Sequence, residues 1–272
     1  MKKHSYIKEI KKEIKNNKSK FTVYLLLRGL IILCLILQLF RKEYENVALC
    51  ILSLVLLFLP FIIEHRLNVD LPNTVEIIIM IFVFSAEILG EINNFYGIIP
   101  FWDTLLHTLN GFLMAAIGFS LFDILNNKLK SINLSPIFLC LFSFCFSMTV
   151  GVIWEFFEYG MDTFAKTDMQ KDRIVSTVSS VELNENKENK PVVIKNISQS
   201  TIKGEIDGKE TEIVIQNGAL DIGLIDTMKD LIVNCVGAVV FSTLGYLYIK
   251  QRGNGKFIKQ FIPVIKSQAD ED

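Results

Sequence analysis

Six apolar runs, each close to the length of a bilayer crossing, set the pattern of this chain: Phe21–Phe40, Asn46–Ile63, Thr74–Gly90, Asp103–Leu125, Ser135–Tyr159 and Thr227–Ile249. A helix needs about 20 residues to cross the hydrocarbon core. Only helices and closed barrels satisfy their own backbone groups there. The expected fold class is therefore an all-α membrane protein, a six-helix transmembrane bundle. One polar interval is long, residues 165–225, and its pattern differs. Val192–Ile197 and Thr201–Ile215 are rich in β-branched residues, and Asp207-Gly208 is a hairpin turn signal. This predicts a small extracytoplasmic β-hairpin insertion between helices five and six. Within it, Glu182–Lys190 reads as a charged, mobile stretch. The sequon at Asn196 reads as accidental.

Charge orients these elements. Residues 1–20 hold eight lysines, and Arg66, Lys128 and Lys130 fall on alternate short loops. Lys250, Arg252, Lys256, Lys259 and Lys266 follow the last run, whereas the opposite short loops hold only Arg41 and Lys42. The positive-inside rule then places both termini in the cytoplasm. The expected organisation is a basic tail at 1–20, helices one to five at 21–164, the extracytoplasmic loop at 165–225, helix six at 226–250 and a cytoplasmic tail at 251–272. The net charge of −1 on 272 residues offers no broad basic surface, and no nucleic-acid partner is expected. The five cysteines lie in or beside apolar runs without a CxxC, so they imply neither a disulfide framework nor a zinc knuckle.

Acidic residues inside these runs change the picture most. Glu155, Glu158 and Asp162 follow an i, i+3, i+7 spacing, which a helix sets on one face. Asp103 and His107 form an i, i+4 pair, with Asn110 and Gly111 further along the same face. Asp226, Asp230, Asn234 and Gly237 repeat the stripe on the last run. With the orientation above, these groups, together with Glu87 and Glu91, come to one side of the membrane, and Trp102 and Trp154 fall at the same level. Ionisable residues at membrane depth mark a functional site by default. Local explanations compete with that reading. Asp103 and Asp226 can cap helices, the Glu155 face can lie beyond the bilayer, and His107 can be bonded within the bundle.

Eight like charges do not all stay ionised without compensation, and Lys166 and Lys229 are the nearest cations in sequence. Bound divalent metal answers this: Mg²⁺, Mn²⁺ or Ca²⁺ for oxygen ligands, or Zn²⁺ through His107. The expected metal ligands are Asp103, His107, Glu155, Glu158, Asp162, Asp226 and Asp230. Glu155 and Glu158 are the candidate catalytic bases.

The runs Phe101-Trp102-Asp103-Thr104-Leu105-Leu106-His107, Trp154-Glu155-x2-Glu158 and Gly223-Leu224-Ile225-Asp226-Thr227-x2-Asp230-x3-Asn234-x2-Gly237 resemble the YjdF-type bacterial inner-membrane family. More distantly they resemble the VanZ-like proteins. The resemblance spans about Leu71 to Tyr248. It implies a six-span protein of the bacterial cytoplasmic membrane, with motif residues at Asp103, His107, Glu155, Glu158, Asp226 and Asp230, and no settled activity. Three readings follow. One is a metal-dependent hydrolase or transferase acting on a lipid or lipid-linked envelope precursor. The second is a cation- or proton-coupled transporter, for which Glu64 and Glu76 are the evident inner-side groups. The third is a non-catalytic protein whose cations only brace the bundle. Membrane lipids are expected partners in each.

Overall fold

The computed structural model describes residues 18–67, 69–128, 134–251, 258–262 and 264–265. Most of the two expected tails lies outside the described residues. The helices are α1 (Lys18–Arg41), α2 (Tyr44–Leu56), α3 (Leu59–Leu67), α4 (Asn73–Val83), the short α5 (Phe95–Ile98), α6 (Trp102–Lys128), α7 (Pro136–Gly160) and α8 (Leu224–Lys250). Among the described residues, five helical stretches are long and apolar enough to cross a membrane: Lys18–Arg41, Tyr44–Arg66, Trp102–Asp123, Pro136–Ala165 and Leu224–Lys250.

The expected third span is not among the five. It forms as α4 and then changes winding, continuing as a π-helix over Phe84–Ile92. Trp102 Nε1 donates to the Ser85 carbonyl at 3.2 Å, inside the rewound stretch. The π segment ends at Ile92, and two residues on Asn94 takes a left-handed conformation, with φ of 56°, just before α5. A second π turn, Met161–Ala165, extends α7 and ends at left-handed Lys166. Single π turns inside α-helices are frequent at functional sites.

The chain divides into two compact units. The first comprises residues 1–151 and 233–272, the second residues 152–232. In the first unit, Leu27 and Ile31 of α1 pack with Cys50 and Leu57, Met80 of α4 and Ile88 of the π-helix. A larger cluster joins Val75 and Ile79 of α4, Leu113 and Phe119 of α6, Leu139 of α7 and Phe241 of α8. Ile258, Phe261 and Ile262, from the stretch expected to be a tail, are buried in that cluster. Phe112 meets both Phe241 and Phe261 edge-to-face, with ring centroids 5.1 Å apart in each pair. The two-residue strands β1 (Val69–Asp70) and β8 (Val264–Ile265) pair antiparallel and hold this C-terminal stretch in place.

Small and polar residues bring these helices together, as they must where lipid supplies no hydrophobic drive between helices. Gly237 of α8 lies so close to the Thr108 carbonyl that any Cβ would collide with it. Gly111 of α6 lies equally close to the Asn234 backbone. Ser143 and Ser147 of α7 donate to the Ala115 and Gly111 carbonyls at 2.7 and 2.8 Å.

The second unit carries the strands of the long loop: β2 (Arg173–Val175), β3 (Val178–Ser180), β4 (Val192–Ile194), β5 (Gln199–Ile206), β6 (Lys209–Gln216) and β7 (Ala219–Asp221). They form three antiparallel pairs: β2 with β7, β3 with β4, and β5 with β6. The expected hairpin is β5–β6, turned by Asp207 and Gly208 at φ of 51° and 74°. Positive φ at both central residues is the twist-matched hairpin turn that Asp-Gly favours. The other two pairs were not anticipated. Glu182–Lys190 folds as the connection between β3 and β4, with Asn184 donating to the Lys190 carbonyl at 3.0 Å.

Candidate metal centre

The expected site residues fall in both units. In the first, α6 begins at Trp102 and places Asp103 and His107 one turn apart on the same face. His107 Nε2 lies 3.4 Å from Asp103 Oδ1, and both side chains are largely buried. One turn further along, Asn110 Nδ2 donates to Asn234 Oδ1 of α8 at 3.1 Å. Asn234 is itself buried and turns its amide nitrogen toward the Ser147 carbonyl at 3.5 Å. Asn110–Asn234 and the close approaches at Gly111 and Gly237 fix the register of α6 against α8. Further along, Gly245 faces Phe119. Both helices therefore advance in the same direction.

In the second unit, Glu155, Glu158, Asp226 and Asp230 are all buried. Trp154 Nε1 donates to Glu158 Oε1 at 2.9 Å and pins that carboxylate along α7. Lys229 Nζ stands 3.8 Å from Asp230 Oδ1. Asp226 accepts from Arg173 at 2.9 Å and from the Lys171 backbone at 3.1 Å. Asp162 accepts from Thr167 Oγ1 and the Met169 amide, both at 2.7 Å, and from the Gln170 amide at 2.8 Å. Gln170 also donates to Thr227, and Gly223, at φ of 72°, packs against the Gln170 side chain. Residues 162–173 thus form a strap tied to the start of α8 at Asp226 and Thr227. Asp221 completes that end by accepting from the Ile225 amide at 2.9 Å.

The sequence-derived ligand set is thus spread over different surroundings. Asp103 and His107 share one helix face. Glu155 and Glu158 share another. Asp162 and Asp226 are engaged by the strap. Glu76, expected near the inner side, is buried and paired with Lys20 Nζ at 2.6 Å, and Glu64 accepts from the Leu71 amide at 2.9 Å. Asp103 and His107 lie together in the first unit, and Asp230 lies in the second. Sequence reasoning missed Arg173, which lies 53 residues from Asp226. A buried acid at a helix start was the available signal that a cation would be needed.

The strap carries its own acid cluster outside the spans. Burial and then the carboxylates of Asp168, Asp162 and Asp221 push Asp172 above the usual carboxylate range, against a lowering backbone hydrogen bond from Gly223. A carboxyl raised in the folded state favours folding while protonated. That contribution is present below its ordinary value and is lost as pH rises through the raised one. Hydrogen exchange of the strap amides should therefore speed up across that acidic window beyond its intrinsic pH dependence. In Asp172→Asn the additional acceleration should shrink.

A family described as "Predicted membrane protein (DUF2238)" matches residues 23–183, more than half of the chain. The chain belongs to this family. The match includes Asp103, His107, Glu155, Glu158 and Asp162 and stops before α8, so Asp226 and Asp230 lie outside it. A Thermotoga maritima protein described as uncharacterized is 29% identical over 105 residues, which is 39% of this chain and 53% of that protein. The chain therefore spans about half the length of that relative. No solved structure matches the chain. These findings support a membrane protein and carry neither the YjdF-type nor the VanZ-like name.

Proposed function

We propose that this membrane protein binds one divalent cation through Asp103, His107 and Asp230 and uses it to hydrolyse or transfer a group on a lipid or lipid-linked envelope precursor. The register of α6 against α8 carries this reading. Asn110 and Asn234 are bonded, and the two helices run in the same direction. One turn back from that bond, α6 carries His107 and α8 carries Asp230; Asp103 is one turn further. Two carboxylates and an imidazole suit Zn²⁺ or Mn²⁺, and carboxylates with carbonyls suit Mg²⁺ or Ca²⁺. When bound, such an ion polarises a phosphoryl or carbonyl oxygen and acidifies a water. In this reading Glu155 takes the proton of the attacking water, and Glu158, pinned by Trp154, positions it. Asp162 and Asp226 hold the strap over the start of α8 rather than the ion. With the stretch 73–92 as the remaining crossing, the bundle has six spans and both termini in the cytoplasm.

The transporter reading is weaker, because Glu76 and Glu64, its expected inner-side groups, are engaged by Lys20 and the Leu71 amide. The purely structural reading gains from Asp162 and Asp226, which are acids used as braces. Glu155→Gln separates it from the catalytic reading. In reconstituted protein supplied with a bacterial lipid extract, wild type should release a lipid-derived product in a metal-dependent way. Glu155→Gln should keep its metal and lose about 10²–10⁴-fold in rate, the usual worth of a general base. No product from wild type, or equal rates in both proteins, would leave only a bracing role for the ion.

A further inference from the structure

Arg28 lies inside the apolar stretch of α1, about 15 Å along the helix from Lys18 at 1.5 Å per residue. A charged side chain at membrane depth is costly and marks a functional site by default. The Arg28 side chain turns back along α1, and its Nη1 donates to the Tyr24 hydroxyl one turn earlier. Its charge is set against two rings. Arg28 Cζ lies 5.6 Å from the centre of the Tyr24 ring and 5.4 Å from that of Phe58. The rings meet edge-to-face at 67° and form a corner around the guanidinium. Phe58 comes from the turn between α2 and α3, just before Pro60, which denies the helix a backbone donor. All of these groups belong to the first unit.

Aromatic faces hold a cation in place without neutralising it. None of the ion pairs among the described residues includes Arg28. Lys20, at the same end of α1, has its carboxylate in Glu76. The Tyr24 hydroxyl takes one N–H of the guanidinium, whose planar fork offers several more. The surroundings say where their acceptor comes from. Phe58 is 43% exposed. Leu25 and Ile32, at i−3 and i+4 on the Arg28 face of α1, are exposed, as are Phe61 and Ile62 beside Phe58 on α3. In a membrane protein these are lipid-facing positions. Acyl chains have no acceptors, but headgroup phosphates do. The backward swing brings the guanidinium to the level of Tyr24, about 9 Å from Lys18 along the helix. Long basic side chains snorkel in this way to reach the headgroups. A carboxylate on a second chain's span would meet Arg28 at its own depth and needs no such swing.

We infer that Arg28, held by Tyr24 and Phe58, binds the phosphate of a phospholipid in the leaflet at the Lys18 end of α1. The guanidinium fork matches phosphate oxygens in pairs. The acyl chains lie along Leu25 and Ile32 of α1 and Phe61 and Ile62 of α3. The lipid is then a fixed component of the α1 face. This inference depends on the membrane character of the chain and not on the metal reading.

The test titrates the full chain in detergent with phosphatidylglycerol and counts bound lipid by native mass spectrometry. Wild type should take up one lipid more tightly than the rest. Arg28→Leu should weaken that first binding by about tenfold or more, the scale of a hydrogen-bonded contact to a charge. Arg28→Lys keeps a point charge without the fork and should fall between the two. Leu25→Ala, which removes no charge, should bind as wild type does. Diacylglycerol, which lacks the phosphate, should not occupy the tight position, and excess inorganic phosphate should not displace phosphatidylglycerol from it. If Arg28→Leu fails to fold by circular dichroism, Phe58→Leu decides, since it keeps the charge and opens the corner; its first binding should also weaken. Equal first binding in wild type and the deciding variant would overturn the inference. So would equal uptake of diacylglycerol, or displacement by inorganic phosphate, which would make the site one for a soluble anion. A wild-type dimer that Arg28→Leu splits, with lipid binding unchanged, would assign Arg28 to a second copy of the chain instead.

Discussion

Gly237→Leu should unfold the contact between α6 and α8. Its Cβ would fall on the Thr108 carbonyl and close to the Phe112 amide nitrogen, both backbone atoms that cannot swing aside. Overpacking of a well-packed core costs about 1–3 kcal/mol and sometimes more. With backbone against backbone, the upper end or beyond is expected. Separating the helices also loosens Asn110–Asn234 and the Ser147–Gly111 hydrogen bond, so buried polar groups lose partners at about 1–3 kcal/mol each. Gly29→Leu is the matched control, since nothing lies within 4 Å of a Cβ there. Melting followed by circular dichroism in detergent should show a lower Tm for Gly237→Leu and little change for Gly29→Leu. Equal melting of both would show that the tight seam does not carry the bundle.

Divalent metal should raise the melting temperature of the wild type and leave Asp230→Asn unmoved. A ligand that binds only the folded state stabilises it by mass action, by about 2.7 kcal/mol at a hundredfold excess over Kd. For a protein of this size that corresponds to roughly 2–4 °C per kcal/mol, so about 5–10 °C in all. Asn keeps the volume of Asp230 and removes its charge, so spans and packing should persist while affinity falls. Binding should weaken in acid as His107 and the carboxylates take up protons. A titration of Tm against Mg²⁺, Mn²⁺, Ca²⁺ and Zn²⁺ in turn also ranks the metals.

Five of the six expected spans were legible because the bilayer imposes length and apolarity on any crossing helix, and that constraint acts on composition alone; the third, rewound from Phe84, was not. The hairpin was legible because Asp207-Gly208 names its own turn. The site was legible in part. Stripes such as Glu155, Glu158 and Asp162 assume unbroken α-helical winding. The change to a π turn at Met161 alters the phase, and the backbone of the strap takes up Asp162. The same change at Phe84 affects the stretch bearing Glu87 and Glu91. Asp226 looked like a ligand because its cation, Arg173, comes from across the loop, a pairing that spacing along one helix does not reveal. Asn110 and Asn234 were each visible on a stripe. Their hydrogen bond was not, although it fixes the register on which the metal proposal rests. The buried Ile258, Phe261 and Ile262 follow a run of charge and glycine, which reads as tail in a one-dimensional pattern.

The central claim is most directly tested by the metal content of the full chain, purified without chelator after saturation with a divalent ion and measured by elemental mass spectrometry. The account predicts one tightly held divalent ion per wild-type chain, and loss of that ion in both His107→Ala and Asp230→Asn while each still folds by circular dichroism. A wild-type chain that retains no divalent ion, or variants that retain as much as wild type, would contradict it.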